Sequence, residues 1–144
     1  MPETLAPGVY IEEISTGSRP IEGVGTSVAG FIGFASVDRH KHDPMWFDNW
    51  TQFRNVFAPN GATSTPLSHG VHGFFLNGGT RCCVVNIGKD EAIVGDGTTR
   101  QGLGILEQSD AISIVAAPGY TDNAAYDALL THCEKMQDRV AILD

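Results

Sequence analysis

Basic charge is scarce in this chain. Nine Lys and Arg face seventeen Asp and Glu, a formal charge of −8. Such a balance repels phosphate, so nucleic acid and anionic membrane surfaces are poor partners. No apolar run approaches the ~18 to 20 residues that cross a bilayer, so no direct membrane insertion is expected. The N-terminus shows no basic, apolar, small-residue succession of a secretory signal. Three cysteines, Cys82, Cys83 and Cys133, offer neither an even set nor CxxC spacing, which excludes a disulfide framework and a zinc knuckle. Internal repeats are also missing. These absences leave one domain of 144 residues with ordinary apolar content and a reducing environment, where three buried thiols are expected.

What is present alternates between two periodicities. "TSVAGFIGFAS", Thr26 to Ser36, is almost wholly apolar or small, as in a strand covered on both faces. "VDRHKHDPMWFDN" is polar and broken by Pro44, hence a loop. A short helix is expected from an Asp48 cap, with Trp50, Phe53, Val56 and Phe57 on one side. After the breaker "PNGATSTP", Leu67, Val71, Phe74 and Phe75 mark a second helical stripe, stopped at Gly78-Gly79. "RCCVVNIG" is a core strand in which Cys82 and Cys83 point to opposite faces. "GLGILEQSD" reads as one or two helical turns and "AISIVAAPG" as a third core strand. Asp122 caps a helix whose stripe is Tyr126, Leu129, Leu130 and Cys133, and "RVAILD" is a fourth strand. Strands alternating with helices predict an α/β fold with an open, mostly parallel sheet and flanking helices.

Reactive chemistry is thin. "NIGKDEAIVGDGTTRQG" and "LNGGTR" have glycines without the order that wraps phosphate. "HKHD" at His40–Asp43, and His69 with His72, lack a third metal ligand at recognisable spacing. Ser113 sits in an apolar strand with no GxSxG elbow, and Glu12 and Glu13 diverge on neighbouring strand positions. No enzyme, cofactor or metal site is expected, although an α/β enzyme with an unrecognised site stays open as an alternative.

The leading residues pose a different question. Pro7-Gly8 breaks any helix, and Val9, Tyr10, Ile11 and Ile14 favour extended backbone around Glu12 and Glu13. No hairpin partner follows, because "TGSRPIEGVG" is rich in glycine and contains Pro20. An unpaired strand leaves its N–H and C=O groups unsatisfied and is completed by adding to another sheet. Val9 and Ile11 then share one face, Tyr10 and Ile14 the other. Gly17, Gly23 and Gly25 bend easily and Pro20 limits collapse, so Thr16–Gly25 is the expected hinge.

Several motifs in order carry a family likeness. Pro7-Gly8-Val9-Tyr10-Ile11-Glu12-Glu13, then Arg19-Pro20-Ile21-Glu22-Gly23-Val24, then Thr26-Ser27 leading into Phe31-Ile32-Gly33, resemble the N-terminal signature of contractile tail sheath proteins. "NWTQFRNVF", "GFFLNGGTRCCVVNIG", "GLGILEQSDAISIVAAPG" and "HCEKMQDRVAILD" resemble that family's later helix–strand units. The loop "SVDRHKHDPMWFDN" departs from the family's short link. Length departs too, since sheath proteins continue into a C-terminal domain and arm.

The resemblance implies residues 1–25 as an arm and hinge for inter-subunit strand exchange, and residues 26–144 as an incomplete α/β sheath domain. It implies a structural subunit of a helical sheath that contracts around an inner tube and drives it through a target envelope. Expected partners are further copies of the chain, the inner tube protein, and baseplate and cap proteins. Expected assembly is in the bacterial cytoplasm, in a phage tail or an injection particle released outside the cell. A short accessory protein that caps or initiates such a sheath is the alternative.

Overall fold

The computed structural model describes residues 27–95, 98 and 101–144. The arm, Pro7, Gly8, Val9, Tyr10, Ile11, Glu12, Glu13 and Ile14, and the hinge, Gly17, Pro20, Gly23 and Gly25, lie outside the described residues. So does the boundary between the two expected segments.

Five strands form one mixed sheet in the order β2-β3-β1-β4-β5. They are β1 (Ala29–Gly33), β2 (Pro44–Phe47), β3 (Cys82–Asn86), β4 (Ile114–Ala116) and β5 (Val140–Ile142). β1 lies parallel between β3 and β4, and β5 continues parallel beyond β4. Every residue of β1 and β3 is buried, as their uninterrupted apolar sequences require.

The expectation of a loop from Val37 to Asn49 is corrected at its end. Pro44–Phe47 is a strand, antiparallel to β3 at the sheet's edge. Pro44 opens it, where a missing N–H does least harm. Phe47 is buried, and Trp46 lies under the Arg81 guanidinium at 4.6 Å.

Helix α1 (Trp50–Phe57) and helix α2 (Pro66–Leu76) cover one face. The cap of α1 is Asn49, one residue beyond the expected Asp48; its side chain accepts the Gln52 N–H at 2.9 Å. Thr65 and Ser68 close a reciprocal capping box at the start of α2, followed by Pro66 at the first helical position. Gly78, at φ 97°, lets the chain leave α2 for β3. A 3₁₀ helix (Gly102–Gln108) and helix α3 (Asn123–Met136) cover the other face.

Two cores follow from strand alternation. Ala29, Phe31, Cys82 and Val84 pack with Phe47, Phe53, Phe57, Leu67 and Val71 on the α1–α2 side. Ile32, Cys83 and Val85 pack with Leu103, Leu106, Ile112, Val115 and Leu129 on the α3 side. Adjacent Cys82 and Cys83 therefore serve opposite cores, as expected, and burial pushes both thiols up to about 12. Cys133 is only half-buried, which corrects the expectation of three buried thiols.

The stripe of α3 is also corrected. Ala125, Leu129 and His132 are buried, whereas Leu130 is 47% exposed. Asp122 occupies the cap position, but its side chain makes no capping hydrogen bond.

Candidate interaction surface

Open α/β sheets bind ligands beyond the carboxyl ends of their strands, where the order reverses. Here that place lies beyond β1 and its neighbours β3 and β4. The segment after β1 folds over it: Asn86 Oδ1 accepts the Ala35 N–H at 2.8 Å, and its Nδ2 donates to the Val37 and Arg39 carbonyls. His42, at φ 62°, meets Glu91 at 3.1 Å. Tyr120 stands behind them, its hydroxyl pushed up by burial and by the nearby Glu91 and Asp90 carboxylates. His40, His69 and His72 are exposed, and no metal-holding cluster of His, Cys, Asp or Glu occurs among the described residues. Ser113 Oγ donates to the Val28 carbonyl at 3.3 Å. These groups join loops to strands.

A buried cation sits at the opposite end of β5. Arg139 is 6% exposed, placed by the turn between α3 and β5. Its Nη1 donates to the Leu106 carbonyl at 2.9 Å and its Nη2 to the Ser109 carbonyl at 2.8 Å. Nε donates to Asp138 Oδ1 at 2.7 Å, which holds the Asp138 carboxyl below its ordinary range. One guanidinium fork thereby reaches two carbonyls at the end of the 3₁₀ helix, of which Leu106 also accepts the Ser109 N–H at 3.4 Å. His132 lies 3.4 Å from Nη1, and burial with this cationic neighbour lowers its pKa. Sequence reasoning missed both Arg139 and Asn86, because their partners are remote and follow no period.

One open feature is apolar. α1 and α2 cover β2, β3 and β1 but stop short of the β4–β5 side, leaving a groove of about 810 Å³. Its wall is Gly70, Gly73 and Phe74 of α2, and its floor includes Phe31, Ala116 and Ile142. Gly70 permits the close wall, since a Cβ there would stand 2.7 Å from Pro118 Cγ. Register sets Val140 beside Ile114 and Ile142 beside Ala116, so both side chains lie on the α1–α2 face of the sheet, 62% and 54% exposed, and Ile142 lines the groove. Among the described residues β5 is also an unpaired edge: Val140 N–H donates inward to Ser113, and alternation turns the backbone groups of Ala141 outward.

Against this geometry stand the comparisons with known proteins. No protein-family model matches the chain, and no curated protein matches it. Solved structures do. A chain of the contracted helical sheath of the anti-feeding prophage (AFP) aligns over 96% of this chain with a TM-score of 0.61 and 18% identity. A chain of the contracted AFP baseplate aligns over 96% with a TM-score of 0.56 and 20% identity. The chain spans 39% and 38% of the length of those two. The mostly parallel α/β sheet with flanking helices is thus a fold shared with chains of a contractile particle.

Proposed function

We propose that the chain is a structural subunit of a helical contractile sheath that surrounds an inner tube. The observation that carries this reading is the shared fold with the AFP sheath chain over nearly the whole length. The ordered sheath-like motifs, from Pro7–Glu13 to "RVAILD", support it independently of the fold. In this reading residues 1–25 are the arm and hinge that tie neighbouring copies, and residues 26–144 are the rigid body. Heterologous contacts that do not close on themselves generate a helical lattice. Contraction is a rigid-body rearrangement across bistable interfaces, with energy stored at assembly and no nucleotide consumed at firing. Flexible arms keep the copies connected while the bodies turn. The other partners are the inner tube, baseplate and cap proteins, in a phage tail or a phage tail-like injection particle assembled in the bacterial cytoplasm.

Negative-stain microscopy of the native particle tests the reading. Sheathed rods in long and short forms, labelled by antibody to this chain, are the expected result. Rods whose sheath lacks the chain would refute it. A second reading, an accessory subunit that caps or initiates the sheath, is favoured by one fact: a chain of the contracted AFP baseplate shares the fold as well as a chain of the sheath. Label confined to one end of the rods would select it.

A further inference from the structure

The breaker "PNGATSTP" and the stop at Gly78-Gly79 each contain an Asn-Gly step, Asn60-Gly61 and Asn77-Gly78. Such a step carries a slow chemistry of its own. Glycine has no Cβ to shield its backbone nitrogen, so that nitrogen can approach the preceding side-chain amide closely. The fold treats the two steps differently.

Asn77 caps the end of α2 and is tied at both reacting groups. Its Nδ2 donates to the Gly73 carbonyl at 2.7 Å, and the Gly78 N–H donates to the Phe75 carbonyl at 3.3 Å. Attack there requires both bonds to break. Asn60 and Gly61 lie instead in the exposed connector between α1 and α2, in a turn closed by the Ala62 N–H on the Pro59 carbonyl at 2.9 Å. The Gly61 N–H donates to no described residue, and nothing stands within 4 Å of the place a Cβ would take. The group under attack is the one that is held: Arg54 Nη2, in the last turn of α1, donates to Asn60 Oδ1. A guanidinium on that oxygen draws electron density from Cγ and stands where negative charge develops on attack.

We propose that Asn60 is a site of spontaneous conversion to aspartate and isoaspartate, favoured by Arg54. The Gly61 nitrogen gives its proton to solvent base and bonds to Asn60 Cγ. The Cγ–Nδ2 bond breaks, solvent returns a proton, and ammonia departs from a cyclic imide. Water then adds to either imide carbonyl, and the ring opens to one acid or the other. The product changes the surface, because no Asp or Glu occurs from Asn49 to Gly88, the stretch that holds α1, α2 and β3. α1 and α2 carry one Lys or Arg between them, Arg54, and the new carboxylate pairs with it and cancels its charge. This inference is independent of the sheath reading.

The experiment incubates the full-length chain at mildly alkaline pH, folded and in urea, and follows both steps by peptide mapping with mass spectrometry and by ammonia release. In the folded chain acid should appear at residue 60 well before residue 77, with one ammonia freed per conversion. In urea the two steps should convert at similar rates, since the fold is what separates them. Conversion of residue 77 first or together with residue 60 in the folded chain overturns the proposal, and so does an equal preference for residue 60 in urea. Arg54→Gln, with folding checked by circular dichroism, should slow residue 60 by roughly tenfold, because losing one donor to a developing oxyanion costs about 10²–10³ in a buried site and less in an exposed one. An unchanged or faster rate overturns the role of Arg54.

Discussion

Replacing Arg139 tests the account of how α3, the 3₁₀ helix and β5 are joined. Arg139→Met keeps the aliphatic stem and removes the fork. Two carbonyls lose the guanidinium, Leu106 at 2.9 Å and Ser109 at 2.8 Å, and Leu106 keeps only the longer Ser109 N–H at 3.4 Å. Leu106 is buried, so its oxygen gains no water in exchange. Hydrogen bonds to a charged donor contribute about 1.5–3 kcal/mol each. Against this, methionine avoids the desolvation cost of a buried guanidinium, which offsets part of the loss. The Asp138 contact adds little, because that carboxylate is open to solvent. A net loss of about 2–4 kcal/mol follows from these ranges. In urea, with m of about 2 kcal/mol/M, the middle of the usual range, the midpoint should fall by roughly 1–2 M at unchanged m. Arg139→Lys should fall between parent and methionine, since one ammonium lacks the fork geometry that meets two diverging carbonyls. A methionine variant within about 0.5 kcal/mol of the parent, the range of an ordinary surface substitution, would refute the clamp.

Other perturbations probe the two cores and the groove. Phe53 is fully buried and stacks on Trp50 at 5.2 Å, with Phe47 edge-on at 5.5 Å; Phe53→Ala should cost about 3–5 kcal/mol in chemical denaturation. Gly70→Ala drives a methyl toward Pro118 and should destabilise by about 1–3 kcal/mol, read as a lowered urea midpoint. Cys82 and Cys83, with thiols near 12, should resist a thiol reagent at pH 8 until the chain unfolds, whereas a rapid reaction of both in the folded protein contradicts their burial. His132 is held neutral by burial and by Arg139, with Lys135 acting alike and Glu107 and Asp138 opposing. Its folded pKa lies below the ordinary 6.5, so the unfolded chain takes up the proton first. Stability is therefore full above about pH 6.5 and falls as pH drops toward the lowered value. His132→Gln should flatten that part of the thermal-melting profile, and an unchanged profile would count against the assignment.

Which features were legible in the chain depends on the range of the forces that fix them. β1 and β3 are buried on both faces, so continuous apolar sequence marks them with no help from neighbours. α2 is bounded by its own residues, with Thr65, Pro66 and Ser68 at one end and Gly78 at the other, and local capping chemistry is readable locally. β2 escaped because its pairing lies with β3, far along the chain, and Pro44 argues against a strand until an edge position is known. In α3 a helical repeat suggested Leu130 for the core and left out His132. The helix is rolled so that His132 meets Arg139 beneath it and Leu130 overhangs the open β5 edge. Arg139 and Asn86 act through carbonyls 30 to 49 residues away, contacts that no periodicity encodes. The same reasoning accounts for the groove. An apolar residue on a covered face and one on an exposed face have the same sequence signature, so "RVAILD" reads as a strand without showing that Val140 and Ile142 are exposed. Only the sheet order shows them standing at an edge. A self-contained monomer would be expected to blunt such an edge with lysine or proline on the strand. β5 carries Val, Ala and Ile instead, so among the described residues this edge has neither safeguard.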